Sequence, residues 1–108
     1  KVARRVAMQT ALQGAAESPF YMMKLMVNAL EITKKAIGKS NTNAASDLGV
    51  AALNLKAGLQ GAWLNVLINL SSIKDAEFVA QHREEGEKLL ATGSELADEI
   101  YVEILKVV

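Results

Sequence analysis

The fold is decided by residues 45–70, which read ASDLGVAALNLKAGLQGAWLNVLINL. Apolar residues recur along this stretch at helical spacings, and only Asp47 and Lys56 carry charge. The stretch lacks proline, and its apolar pattern predicts one long helix rather than a strand. A helix that is apolar around most of its circumference is expected to be buried on several sides. The sequence therefore predicts an all-α protein, an antiparallel helical bundle with a long buried central helix.

A narrow polar stripe follows one side of this helix. At about 100° per residue, six residues fall within roughly 40° of Asp47 on either side: Ala51, Asn54, Gly58, Gly61, Asn65 and Asn69. Buried polar groups need hydrogen-bond partners, so the stripe has two interpretations. Its glycines and asparagines could form a seam where another helix packs closely, or they could line a cleft for a polar ligand.

The rest of the chain also has helical patterns, and we treat residues 1–108 as a single helical unit. Glu17-Ser18-Pro19 predicts a break, with Ser18 as an N-cap and Pro19 in the first turn of the next helix. Gly38 is placed to end that helix, and Asp75 or Ser72 to cap the last one. The predicted helices cover about 2–16, 19–37, 45–70 and 75–106.

Composition narrows the possible functions. The chain has no cysteine, which excludes a disulfide scaffold and thiolate chemistry and fits a cytoplasmic location. Residues 48–73 are apolar enough to suggest a membrane span, but a lysine and several amides interrupt them, so we expect a core helix and no membrane contact. No basic cluster is dense enough to indicate nucleic acid. The apolar excess favours a homo-oligomer.

Two stretches carry a family resemblance. Residues 40–52, SNTNAASDLGVAA, resemble the GN-x-N-x-x-SD-x-x-VA stretch of the formiminotransferase-cyclodeaminase family. Residues 61–75, GAWLNVLINLSSIKD, resemble that family's GA-x-x-NV-x-IN-L…I-x-D stretch, in the family's order and spacing. Ser40 stands where the family has glycine. The family's glycine-rich N-terminal segment and further helices are not in this sequence, which resembles the C-terminal half of a cyclodeaminase domain.

The resemblance implies a folate enzyme. The family includes formimidoyltetrahydrofolate cyclodeaminases and methenyltetrahydrofolate cyclohydrolases, all-helical dimers or higher oligomers that bind folate near the subunit interface. It therefore implies a tetrahydrofolate derivative as substrate, a homodimer or higher homo-oligomer, and chemistry that needs no metal. On this basis Asp47 is the predicted catalytic carboxylate. The predicted substrate-binding residues are Asn41, Asn43, Ser46, Asn65 and Asn69.

Each of these residues also has a structural interpretation. An acid in a first helical turn is favoured by the helix dipole, which alone could explain Asp47. The asparagines and Ser46 could cap the helix or hold the seam. His82, the only histidine, lies in a polar stretch and is expected to be exposed and without function. The alternative function is a non-catalytic helical interaction or oligomerisation module derived from the same family, and the sequence does not choose between deaminase and hydrolase.

Overall fold

A computed structural model describes residues 1–39 and 44–108, which form three helices. These are α1 (Val2–Ala36), α2 (Ala45–Leu70) and α3 (Ala76–Leu105). No strand occurs within the described residues, so the prediction of an all-α bundle is confirmed. The three helices pack along their lengths into a rod of 61 × 18 × 17 Å.

The helices α1 and α3 run parallel to each other, and α2 runs antiparallel to both. Three polar contacts of α1 join residues that are 65 positions apart: Glu17 with His82 and Lys34 with Glu99 of α3, and Gln9 with Lys74 in the turn just before α3. Because the offset is the same in all three contacts, α1 and α3 run in the same direction and keep one register along their lengths. The reversal of α2 follows from its contacts with α3, where Lys56 pairs with Asp98 near the middle and Gly49 meets Ile104 near the ends.

The core forms two clusters of buried side chains along the rod. The larger one contains Phe20, Met23, Leu59, Trp63, Val66 and Leu70, and the smaller one contains Leu30, Ala52, Ala97, Ile100 and Ile104. Two glycines of α3 bring that helix close to α2. A Cβ atom at Gly86 would overlap the ring of Trp63, and one at Gly93 would overlap Leu59.

The predicted break at residues 17–19 is wrong, because α1 continues through Pro19 without interruption. Pro19 has no N–H to donate to the carbonyl of Ala15, so one helical hydrogen bond is missing. Ala16, Phe20 and Met23 are all buried in the core on either side of this point. Their packing keeps the chain helical where the local sequence alone favours a break.

The predicted helix ends are mostly confirmed. The Asp75 carboxylate accepts a hydrogen bond of 3.1 Å from the Phe78 N–H and caps α3. Gly38 follows the end of α1 with φ of 80°, a left-handed conformation that glycine adopts without steric cost. The α2 helix begins and ends where its pattern predicts.

Burial of α2 on several sides is only partly observed. Eight of its 26 residues are buried, and they lie on the side that faces α1 and α3. The opposite side carries exposed Val50, Leu53, Leu64 and Ile68. None of the three described helices is long and apolar enough to cross a membrane.

Candidate functional site

The polar stripe of α2 borders the seam with α1 rather than the centre of the bundle. Gly58 marks the closest approach, since a Cβ atom there would lie 3.1 Å from the Met26 methyl carbon. Gly61 has nothing within 4 Å, so no part of the described chain uses the space that it leaves. Asp47, Asn54 and Asn65 are exposed. The stripe is therefore a packing seam at Gly58 and an open surface elsewhere.

Asn65 and Asn69 lie together in a shallow groove between α2 and α1. The groove has a volume of about 370 Å³, and its α1 side is formed by Ala15, Ser18, Pro19 and Met22. The Asn69 side-chain amide donates a hydrogen bond of 2.8 Å to the carbonyl of Asn65, one turn earlier in the same helix. No side-chain hydrogen bond crosses this seam among the described residues. The polar side chains of Asn65 and Asn69 therefore border the open groove and make no contact with a side chain of α1.

The α1 side of this groove was not predicted as part of a site. Ser18 supplies a hydroxyl there, and Pro19 leaves the Ala15 carbonyl without its usual helical donor. An unoccupied carbonyl beside an open groove is an acceptor that a polar ligand can use. Pro19 itself was the signal in the sequence. We predicted that a helix starts there, whereas in the structure α1 continues through Pro19 and the Ala15 carbonyl lacks its helical donor.

Asp47 and Ser46 lie at the other end of the rod, in the first turn of α2. Both are exposed, and Asp47 is the acidic residue of that turn. Asn41 and Asn43, which the sequence places beside them, lie outside the described residues. Ser46 precedes Asp47 by one position and therefore points about 100° away around the helix. The first turn of α2 thus presents a carboxylate and a hydroxyl to solvent on neighbouring sides.

One chain does not bring the predicted site residues together. Asp47 and Asn65 are 18 positions apart on a straight helix, which separates them by about 27 Å, and Asn69 lies about 6 Å further along. The predicted site therefore consists of two separate parts within one chain. One part is centred on Asp47, and the other is the groove at Asn65 and Asn69.

His82 is not exposed, contrary to the prediction. Its ring stacks on Phe78 at 3.9 Å between centroids and lies 4.8 Å from Phe20. The Nδ1 atom lies 2.8 Å from the Phe78 carbonyl oxygen, and Nε2 contacts the Glu17 carboxylate. The side chain is 13% exposed, so this histidine is a contact between α1 and α3 and not a solvent-facing group.

Near the Asp47 end of the rod, Lys34 of α1 pairs with Glu99 of α3. The Lys34 ammonium lies 2.5 Å from the Glu99 carboxylate, and this hydrogen bond with its charge attraction raises the pKa of Lys34 above the usual lysine value. Glu95 and Glu103 raise that pKa further. Within residues 1–39 and 44–108, no three His, Asp or Glu side chains converge to hold a metal ion.

A larger depression lies at the opposite end of the rod from Asp47. It has a volume of about 710 Å³, and its polar lining includes Arg5, Gln9 and Lys74. Gln9 holds the α2–α3 turn here, because its amide donates to the Ser72 carbonyl and its oxygen accepts from the Lys74 N–H. None of the predicted site residues lines this depression.

The sequence model of the formiminotransferase-cyclodeaminase family matches residues 1–88. The chain belongs to this family. It is 35% identical over 101 residues to a methenyltetrahydrofolate cyclohydrolase of Methylorubrum extorquens, covering 94% of this chain and 49% of that protein. It is 33% identical to a formimidoyltransferase-cyclodeaminase of Dictyostelium discoideum, covering 94% of this chain and 19% of that protein. A pig formimidoyltransferase-cyclodeaminase is 34% identical over 87 residues.

The chain spans about half the length of the cyclohydrolase and less than a fifth of the Dictyostelium protein. The family assignment covers both parts of the candidate site, because the matched residues 1–88 include Asp47, Asn65 and Asn69 as well as Ser18 on α1. These relatives are named as a methenyltetrahydrofolate cyclohydrolase and as formimidoyltransferase-cyclodeaminases.

Proposed function

We propose that this chain forms part of a tetrahydrofolate one-carbon enzyme in which Asp47 is the catalytic carboxylate. The observation that carries the proposal is the similarity to a methenyltetrahydrofolate cyclohydrolase along 94% of the chain. The exposed position of Asp47 in the first turn of α2 supports it, because the carboxylate is accessible to a ligand. Asn41, Asn43 and Ser46 are the proposed substrate contacts near it, and Asn65 and Asn69 those of the groove.

The chemistry of both family reactions suits a carboxylate. In the hydrolase reaction, a water oxygen bonds to the methenyl carbon and loses a proton. One carbon–nitrogen bond then breaks as its nitrogen gains a proton, and the product carries a formyl group. In the deaminase reaction, a folate nitrogen bonds to the formimino carbon and loses its proton, and the bond from that carbon to the formimino nitrogen breaks as that nitrogen gains a proton and leaves as ammonia. The methenyl compound, the substrate of the first reaction and the product of the second, carries a positive charge shared between two nitrogens, which an adjacent carboxylate stabilises while it transfers a proton.

We favour the hydrolase reaction, with the deaminase as the second candidate. The cyclohydrolase is the relative of which this chain covers the greater share. The deaminase is supported by the family description and by three relatives that carry its name. Incubation with methenyltetrahydrofolate or formiminotetrahydrofolate separates the two, because the methenyl absorbance falls in the first reaction and rises in the second.

The Asp47→Asn variant tests the role of the carboxylate. It keeps the side-chain volume but removes the charge and the proton acceptor, so we expect turnover to fall by about 100-fold or more, in line with the loss of a general acid–base group. Circular dichroism should show unchanged helix content. The matched control is Glu84→Gln, which neutralises an exposed carboxylate of α3 that pairs only with Lys88. Equal rates for Asp47→Asn and the wild type would exclude the assignment.

The alternative is a helical interaction module without catalysis, and the two-part site in a single chain favours it. This alternative predicts that wild-type protein changes the absorbance of neither substrate while remaining folded. It also predicts that Asp47→Asn and Glu84→Gln behave identically in every assay. A measured rate with either substrate would exclude it.

A further inference from the structure

The groove between α1 and α2 is bordered by polar groups that carry no charge. Within the part of the chain that the structure describes, its lining contains neither an acid nor a base. Its volume of about 370 Å³ falls in the range of small-molecule sites. An anionic group bound there would lose water without gaining a cation to pair with, which is unfavourable. The groove therefore suits a neutral polar group and not the anionic end of a ligand.

One of these polar groups is a backbone acceptor that an uninterrupted helix does not offer. The Ala15 carbonyl lies one turn before Pro19, which has no N–H, so the usual helical hydrogen bond to that oxygen is not made. Ala15 and Pro19 both line the groove, and the gap in the helical bonding therefore opens onto it. A carbonyl oxygen can only accept, so a ligand that replaces water at this point has to donate a hydrogen bond.

The other polar groups of the groove add both acceptors and donors. The Asn69 amide nitrogen donates to the Asn65 carbonyl at 2.8 Å, which leaves its side-chain oxygen and one N–H for a ligand. Asn65 contributes a second carboxamide, and the Ser18 hydroxyl on α1 accepts as well as donates. Acceptors thus lie on both walls, with donors beside them. The complementary ligand is a neutral edge that carries N–H donors next to a carbonyl oxygen.

We propose that the groove binds the pyrimidinone edge of a pterin ring, with its exocyclic amine donating to the Ala15 carbonyl. This inference rests on the proposed function, in which the substrate is a tetrahydrofolate derivative. The glutamate end of such a substrate is anionic, whereas the pyrimidinone edge is neutral and presents an amine, a ring N–H and a carbonyl oxygen. The donors of Ser18 and the asparagines serve that oxygen. Ser18 and Pro19 then determine specificity without taking part in the chemistry.

Binding in the groove is measured separately from turnover. Asp47 of the same chain lies about 27 Å from Asn65 along α2, which is further than a pterin ring extends. The probe is therefore 6-methyltetrahydropterin, a fragment that keeps the pyrimidinone edge but lacks both the glutamate and the reacting carbon. Isothermal titration calorimetry gives its dissociation constant with the unmodified chain and with each variant.

Replacement of Pro19 tests the free carbonyl. Pro19→Ala supplies an N–H that bonds to the Ala15 carbonyl within the helix, so this acceptor is no longer available to a ligand. We expect the affinity for the fragment to fall by about tenfold, the equivalent of one hydrogen bond, while the melting temperature rises because a helical bond is gained. Pro19→Val supplies the same N–H and keeps more of the apolar volume, and it should weaken binding to the same degree.

Gly14→Ala is the matched control for these variants. It also replaces a poor helix former of α1 by alanine, but it has nothing within 4 Å and does not line the groove. It should raise the melting temperature and leave the affinity for the fragment unchanged. Unchanged affinity in both Pro19 variants, or no binding of the fragment to the wild type, would overturn the proposal.

The analogue in which a methyl group replaces the exocyclic amine tests the same contact from the side of the ligand. It should bind the wild type about tenfold more weakly than 6-methyltetrahydropterin, and it should bind the wild type and Pro19→Ala equally, because the hydrogen bond is already lost. If Pro19→Ala weakened both compounds to the same extent, the substitution would be acting through the shape of the groove, and the role of the Ala15 carbonyl would be excluded.

The outcomes separate this inference from the proposed function. A wild type that binds the fragment as expected but turns over neither methenyltetrahydrofolate nor formiminotetrahydrofolate would contradict the proposed function and leave the groove as a pterin site. A wild type that turns over either substrate, with a fragment affinity that the Pro19 variants do not change, would contradict the groove assignment alone.

Discussion

Single residues set how closely the helices approach, and Gly86 is the clearest case. The ring of Trp63 occupies the space in which any larger residue at position 86 would place its Cβ atom. Trp63 is buried with the larger core cluster, so its ring cannot move aside without disturbing Leu59 and Val66. The same logic applies at Gly93, where Leu59 fills the space. Close packing against α2 therefore requires two glycines inside α3, although glycine is a poor helix former.

We expect Gly86→Ala to lower the free energy of unfolding by about 1–3 kcal/mol, the usual cost of overpacking a core. Gly14→Ala is the matched control, because it also adds one methyl group inside a long helix but has nothing within 4 Å. That change should instead raise the stability by about 0.5–1 kcal/mol. Urea denaturation of the three proteins measures both effects. Equal destabilisation by the two substitutions would contradict the role assigned to Trp63.

Elements are aligned by contacts that recur at a constant offset. Glu17 and Lys34 on α1 each meet the α3 residue 65 positions later, and Gln9 meets Lys74 in the turn just before α3, so these polar contacts fix the register along about 37 Å of α1. Apolar packing alone tolerates a shift between parallel helices more easily than these directed contacts do. The pair of Lys34 and Glu99 is the most exposed of the three and is accessible to titration.

The Lys34 pair predicts a dependence of stability on alkaline pH. The pKa of Lys34 is raised in the folded chain, so the folded state binds the proton more tightly than the unfolded state. Its contribution is present below the ordinary lysine pKa of about 10.4 and is lost as pH rises through the folded value. The melting temperatures of wild type and Lys34→Gln should therefore differ at pH 8 and converge once the pH exceeds the raised pKa of Lys34 in the folded chain. A difference that persists unchanged above that pH would contradict this explanation.

Lys88→Gln is the matched control for the alkaline experiment. It removes a lysine whose partner, Glu84, lies in the same helix, so it leaves the contacts between α1 and α3 intact. Exposed pairs of this kind contribute little to stability at any pH. The difference between wild type and Lys88→Gln should be small throughout the pH range.

The sequence was sufficient for the helical class, the span of α2 and the Asp75 cap, because these depend on neighbouring residues. It failed at Pro19, where the local signal for a helix start is overridden by burial of Ala16 and Phe20 on both sides. It also failed at His82, where Phe78 lies one turn earlier in the same helix but Phe20 and Glu17 are contributed by α1. Both errors involve packing between helices that the local sequence does not reveal.

The sequence also could not predict which side of α2 is buried or how the candidate site residues are arranged along the helix. A helix that is apolar on most sides does not reveal which side its neighbours cover, and the structure shows that α1 and α3 leave Val50, Leu53, Leu64 and Ile68 exposed. Asp47, Asn65 and Asn69 were predicted to form one site because they share one side of the helix. Angular position alone ignores the rise of about 1.5 Å per residue that separates them.

The molecule as a whole is more elongated than a domain of its size. Its radius of gyration is 17.4 Å, whereas a compact chain of this length has about 13 Å. A thin rod buries less of its apolar surface, and Val50, Leu53, Leu64 and Ile68 on the outer side of α2 remain exposed. The stability of such a rod should depend strongly on anything that covers these side chains.

The homo-oligomer that the sequence predicts should make the melting temperature of the wild type rise with protein concentration, because a complex that dissociates on unfolding is stabilised by mass action. For a pair of chains of this length, the expected rise is about 3 °C for each tenfold increase in concentration. Leu64→Glu, which places a charge on the exposed apolar side of α2, should melt at a lower temperature that no longer depends on concentration. Val6→Glu should keep the wild-type dependence, because Val6 lies near the start of α1 and not on α2. A wild-type melting temperature that stays constant over a hundredfold range of concentration would mean that the exposed apolar side of α2 is stable in water.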